Sequence, residues 1–159
     1  MKMNSTFSLT FFGSILFIAV VLMLFLYPIP NYEDDNLLSI PVESERNISN
    51  KELQYYQEEL LKYNDEKNLI VLLSKVWAGT YVGAGNMTVS LKKNLINHDI
   101  LYDAILIFDS VPDDDSVSGY RYDIRLKESG NNFDIVYVKE SGRCWNGRGH
   151  RFFSVEPCV

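Results

Sequence analysis

The pattern of apolar and polar positions changes character three times along the chain. Residues 7–27 hold no charged side chain. That run matches the roughly 20 apolar residues needed to cross the hydrocarbon core of a bilayer. Residues 28–48 lose this density, and three prolines with the acidic cluster Glu33, Asp34 and Asp35 read as a linker. Ser49-Asn50-Lys51-Glu52 then fits a capping box, in which the Ser hydroxyl and the Glu carboxylate satisfy orphan N–H groups at a helix start. Leu53, Tyr56, Leu60 and Tyr63 follow at helical spacing, so one amphipathic helix is expected over about residues 50–63. The polar residues 64–68 interrupt it. Residues 69–76 fit a helix or a strand; Ser74 and Lys75 break any alternation, which favours helix.

Beyond Trp77 the texture changes. Thr80-Tyr81-Val82 and residues 87–91 are rich in β-formers, with Gly79, Gly83 and Gly85 between them, as a bulged or sharply bent sheet requires. Residues 100–108 form a long apolar strand pattern. Asp113-Asp114-Asp115-Ser116 reads as a solvated turn. Residues 119–126 alternate, with Tyr120, Tyr122, Ile124 and Leu126 on one face and Arg121, Asp123 and Arg125 on the other. Ser129-Gly130-Asn131-Asn132 is a hairpin signal. Residues 133–138 make the next strand, Ser141-Gly142 a turn, and residues 152–155 a last short strand. The expected fold is mainly β (α+β): a transmembrane helix, one amphipathic helix and an antiparallel meander. Curling that meander into a small barrel would remove its edges.

The apolar run reads as a retained anchor. A cleavable signal has a shorter core, about 7–15 residues, and small residues at its end; this run ends Leu24-Phe25-Leu26-Tyr27-Pro28. Lys2 lies before the span, and only acids lie after it until Arg46. Positive charge marks the cytoplasmic side. The expected organisation is therefore a cytoplasmic tail (1–6), an anchor in the lipid bilayer (7–27), a linker (28–48) and a periplasmic domain (49–159), at a bacterial inner membrane.

Charge narrows the function. The chain carries a formal −6, and setting Lys2 aside leaves −7 for the exported part. An acidic domain argues against direct nucleic-acid binding, which uses basic surfaces. Cys144 and Cys158 are the only cysteines, and in an exported domain they are expected to pair. Without a C-x-x-C, and with neither histidine at ligand spacing, no redox centre, metal site or cofactor is expected. Gly79-Thr-Tyr-Val-Gly-Ala-Gly lacks the Lys-Ser/Thr of a phosphate loop. There is no G-x-S-x-G and no H-E-x-x-H, so a non-enzymatic role is expected. Of the two histidines, His98 sits in a polar loop. His150 lies in the one basic, aromatic stretch of the domain. There Arg143, Trp145, Arg148, His150 and Arg151 form a candidate partner-binding or pH-responsive segment. Asn-x-Ser/Thr triplets at Asn4, Asn47 and Asn86 are as expected in an Asn-rich chain.

Two resemblances add to this reading. Trp77-Ala78-Gly79-Thr80-Tyr81, followed by an apolar strand and Ser118-Gly119-Tyr120-Arg121-Tyr122, resembles the opening of small lipocalin-like barrels. It implies that Trp77, Tyr81, Tyr120 and Tyr122 line a barrel core or a small apolar cavity, with a small amphipathic ligand as a candidate occupant. The whole layout resembles the ToxS-type accessory proteins, which include PsaF- and MyfF-like regulators of fimbrial genes. These proteins have a tiny cytoplasmic tail, a single span and a periplasmic domain. That resemblance implies a co-regulator that binds and stabilises a membrane-bound winged-helix activator, and so controls virulence or fimbrial genes. Two other classes suit the same features: a bitopic component of a secretion or conjugation assembly, and a periplasmic inhibitor or immunity protein.

Overall fold

The computed structural model describes residues 36–80, 83–112 and 116–159. The expected tail, anchor and first part of the linker lie outside the described residues, as do Tyr81 and Asp113-Asp114-Asp115. Among the described residues no helix is long and apolar enough to cross a membrane.

A 3₁₀ turn (Leu37–Ser39) and a two-residue strand β1 (Arg46–Asn47) precede helix α1 (Asn50–Lys62) and helix α2 (Leu69–Ala78). Four long strands follow: β2 (Asn86–Ile96), β3 (Asp99–Asp109), β4 (Val117–Ser129) and β5 (Asn132–Cys144). They form one antiparallel sheet in the order β1-β5-β4-β3-β2. The meander expectation therefore holds, but the sheet is open. The barrel does not form, because β2 and β1 end the sheet on opposite sides instead of pairing.

α1 begins with the capping box read from the sequence: the Ser49 hydroxyl accepts from Glu52 N–H, and Glu52 Oε2 accepts from Ser49 N–H at 2.8 Å. α2 is a helix because Asn68 caps it, accepting from Ile70 and Val71 N–H, and because Leu69, Leu72, Leu73, Val76 and Trp77 form one buried stripe. Trp77 thus closes a helix and does not open a strand, contrary to the lipocalin-like resemblance. Both helices lie on one face of the sheet. There Ala104, Leu106 and Phe108 of β3, Tyr122, Ile124 and Leu126 of β4, and Val138 of β5 complete the core.

The turns follow residue chemistry. β2 and β3 join through Asn97 and His98, at φ 51° and 72°, the doubly left-handed pair of a type I′ hairpin. β4 and β5 join through Gly130-Asn131, with Gly130 at φ 64°. Ser141-Gly142, expected as a turn, lies inside β5. The Tyr120 ring passes across Gly142, and Gly142 exchanges two backbone hydrogen bonds of 2.8 Å with Ser154. The last strand expected at 152–155 is reduced to that bridge and a parallel one between Val42 and Phe153. Residues 36–48, expected as linker, are tied to the domain: Ile40 and Ile48 are buried, and Glu43 N–H donates to Phe153 O at 2.9 Å.

Candidate interaction site at the disulfide-stapled segment

Cys144 ends β5 and is bonded to Cys158, with Cα atoms 5.5 Å apart. The chain between them is folded back on itself. Cys144 N–H donates to His150 O at 2.9 Å, Arg148 N–H to Trp145 O at 3.0 Å, and Val159 N–H to Arg148 O at 2.8 Å. Gly149 is obligatory: its φ is 139°, and a Cβ there would sit 2.8 Å from Cys144 Sγ. Trp145 N–H donates to Ser116 O, which ties the loop to the start of β4.

The five residues singled out from the basic stretch separate into four roles. Arg143 is buried at 3% exposure and ion-paired to Asp109 at 2.5 Å. Gly119 makes this pair fit, since a Cβ there would meet Phe108 O at 2.7 Å and Asp109 Oδ1 at 3.1 Å. Arg143 Nε and Nη1 are buried without a hydrogen-bond partner among the described residues. Arg151 donates to Cys144 O at 2.8 Å and braces the loop. Trp145 and Arg148 point outward, Trp145 with 36% of its surface exposed.

His150 takes the fourth role. Nδ1 lies 2.8 Å from Phe152 O and Nε2 3.0 Å from Glu156 O, and the ring stacks on Phe152 at 5.0 Å. A neutral imidazole carries one N–H and can donate to one of these carbonyls; an imidazolium donates to both. The potential ligand atoms of His150, Cys144 and Cys158 all lie within 4.8 Å of one another. The sulfurs are joined to each other, so neither is a thiolate free to bind a metal. Sequence spacing gave no sign of this proximity, which the folded-back loop creates.

The aromatic set is partly assembled. Trp77 is fully buried and stacks on Tyr56, centroids 4.3 Å apart and planes 9° apart; Tyr122 packs beside it at 6.5 Å. Tyr120 is half-buried against the same core. This is the layer between helices and sheet, not a barrel interior. Helical spacing alone marks Tyr56 in the sequence; in the fold, burial raises the pKa of its phenol above the usual range.

Sequence reading also missed Glu140. It faces the helix side of β5 and lines a cleft of about 140 Å³ with Arg46, Tyr120 and Glu156. Arg46 Nη2 donates to its carboxylate at 3.0 Å. Burial nevertheless outweighs Arg46 and, with Glu52 nearby, raises its carboxyl above the ordinary value. Glu140 follows Lys139 in an unremarkable charged pair, and only the register opposite Tyr122 reveals its burial.

No protein-family model matches the chain, and neither a curated protein nor a solved structure matches it.

Proposed function

We propose that this is a non-enzymatic, membrane-anchored accessory protein whose exported domain binds and stabilises a membrane-bound transcriptional activator. The observation that carries the reading is the exposure of Trp145 beside Arg148 on a loop held by a disulfide and by backbone hydrogen bonds. Tryptophan and arginine are the residue types that most often dominate protein–protein binding energy. A loop already fixed loses little further freedom on binding. The uncharged run at 7–27 and the acidic balance of the remainder support a partner in the same membrane and no direct contact with DNA.

The test is affinity purification of the full-length chain in mild detergent, with identification of what co-purifies. The expected result is a single-pass protein with a cytoplasmic DNA-binding domain, at near-equal amount. Trp145→Ala with Arg148→Ala should cut its recovery about tenfold or more, given hot-spot losses of about 2 kcal/mol or more each, while the melting temperature is retained. Recovery of secretion components, or of a soluble hydrolase, overturns the reading.

A further inference from the structure

The two edges of the sheet are treated very differently. The outer edge of β5 is covered along its length. β1 pairs with Lys139 and Glu140, Ile48 N–H donates to Val138 O at 3.1 Å, and Ser154 bridges Gly142. Where β1 does not reach, the Gln57 side chain takes the place of a strand: Oε1 accepts from Ile135 N–H at 2.7 Å and Nε2 donates to Phe133 O at 3.0 Å. At the other end of the sheet, β2 pairs with β3 along all eleven of its residues, and no described residue pairs with its outer side. Met87, Leu95 and Ile96 on this strand are 40%, 74% and 45% exposed. A long open edge with apolar side chains is a template for another strand.

We propose that β2 pairs antiparallel with β2 of a second copy, about a two-fold axis midway between the two Leu91 residues, so that the two sheets become one. Residues that pair across a two-fold normal to the sheet must share a face, which allows only registers centred on a residue. Centring on Lys92 or Lys93 puts lysine against lysine. Centring on Ser90 leaves Leu95 and Ile96 unpaired. Leu91 is the middle residue of β2, so this register alone pairs the strand end to end. It sets Met87 against Leu95 twice, Leu91 against itself, Lys92 against Ser90 and Lys93 against the apolar Val89. No lysine meets a lysine. The Lys93 ammonium already lies 5.5 Å from the centre of the Tyr102 ring on β3, drawn away from the open edge. β2 and the β5 end that carries the stapled loop lie at opposite sides of the sheet, so this pairing is independent of any activator bound at Trp145.

The register is tested in membranes with two differently tagged full-length chains, one carrying Met87→Cys and the other Leu95→Cys. The native cysteines are already joined and do not compete. Directly opposed Cβ atoms lie about 4.5–5.5 Å apart in an antiparallel pair, a short step from disulfide geometry. Mild oxidation should give a mixed-tag dimer from the two chains together. It should give about tenfold less from either alone, because each cysteine then sits about 27 Å from its own copy at roughly 3.4 Å per residue. Ser90→Lys, which sets two lysine pairs face to face, should reduce the mixed dimer about tenfold without lowering the melting temperature. Absence of the mixed dimer overturns the proposal. So does equal cross-linking of either variant alone, or cross-linking of β2 to a different protein.

Discussion

Glu140 shows how one residue's chemistry can depend on register. Burial raises its carboxyl pKa, so the folded state holds the proton more tightly than the unfolded chain does. The sign follows from linkage. The stabilising contribution is complete below the ordinary carboxylate range, and it is lost as pH rises through the raised folded value. At neutral pH the ionised carboxylate is therefore a net burden, offset only in part by Arg46. The Arg46 side chain is 54% exposed, and such a pair contributes about 0–1 kcal/mol. Glu140→Gln should raise the melting temperature relative to the native chain at pH 7.5, and the gain should shrink toward pH 4.5. Measuring the difference between variant and native at each pH isolates this group from Glu52. The Glu52 carboxyl is lowered by its Ser49 hydrogen bonds and carries the opposite sign. A Glu140→Gln penalty that instead grows from pH 4.5 to pH 7.5 would mean that the salt bridge, not burial, sets the energetics here.

At the scale of elements, the Tyr56–Trp77 stack joins α1 to α2 and seats both on Tyr122. Trp77 is fully buried, yet its Nε1 has no hydrogen-bond partner among the described residues. Trp77→Ala should cost about 3–5 kcal/mol through lost burial and the cavity left behind, a large share of the stability of a domain this size. Trp77→Phe keeps a ring against Tyr56 and removes the unpartnered donor, so its loss in a urea melt should be clearly smaller. Equal losses would mean that the retained ring contributes nothing and that the indole itself is required. These helices were legible because their signals are local: a capping Ser and Glu, a capping Asn68, and apolar residues three and four apart. The four long strands were legible from β-forming residue types, a long apolar run and, in β4, strict alternation. What alternation leaves open is how strands end and what lies on their edges. Gly142 continues β5 because Tyr120 crosses it, and Gln57 closes an edge more than seventy residues away in sequence. Neither contact has a period in the sequence. The barrel expectation failed for that reason: it supplied strand closure as the answer to open edges, whereas the chain covers one edge with β1, Gln57 and the C-terminal bridge.

For the whole molecule, the disulfide joins the end of β5 to a segment that covers the second face of the sheet. Phe153 is fully buried there, outside the helix-side core; Arg121 of β4 rests 5.9 Å from its ring centre, and Val42 bridges to it from the N-terminal side. Both ends of the described chain therefore meet under one staple. The cysteine pairing was legible from the count and from the compartment the sequence leads one to expect, but the burial of Arg143 beneath it was not, because the ion pair with Asp109 depends on the missing Cβ of Gly119. Cys144→Ser should cost about 3 kcal/mol from the chain entropy of a loop of about 15 residues. It should also loosen the contacts that hold Phe153 and present Trp145. Melting temperature and recovery of the co-purifying partner should therefore fall together. Trp145→Ala with Arg148→Ala, in contrast, should lower recovery with the melting temperature retained. The contrast separates a loop that is needed to fold the domain from one that is needed to bind. If Cys144→Ser melts at the native temperature under oxidising conditions, the staple is not structural, and the loop must be held by Arg151, His150 and the backbone bonds alone.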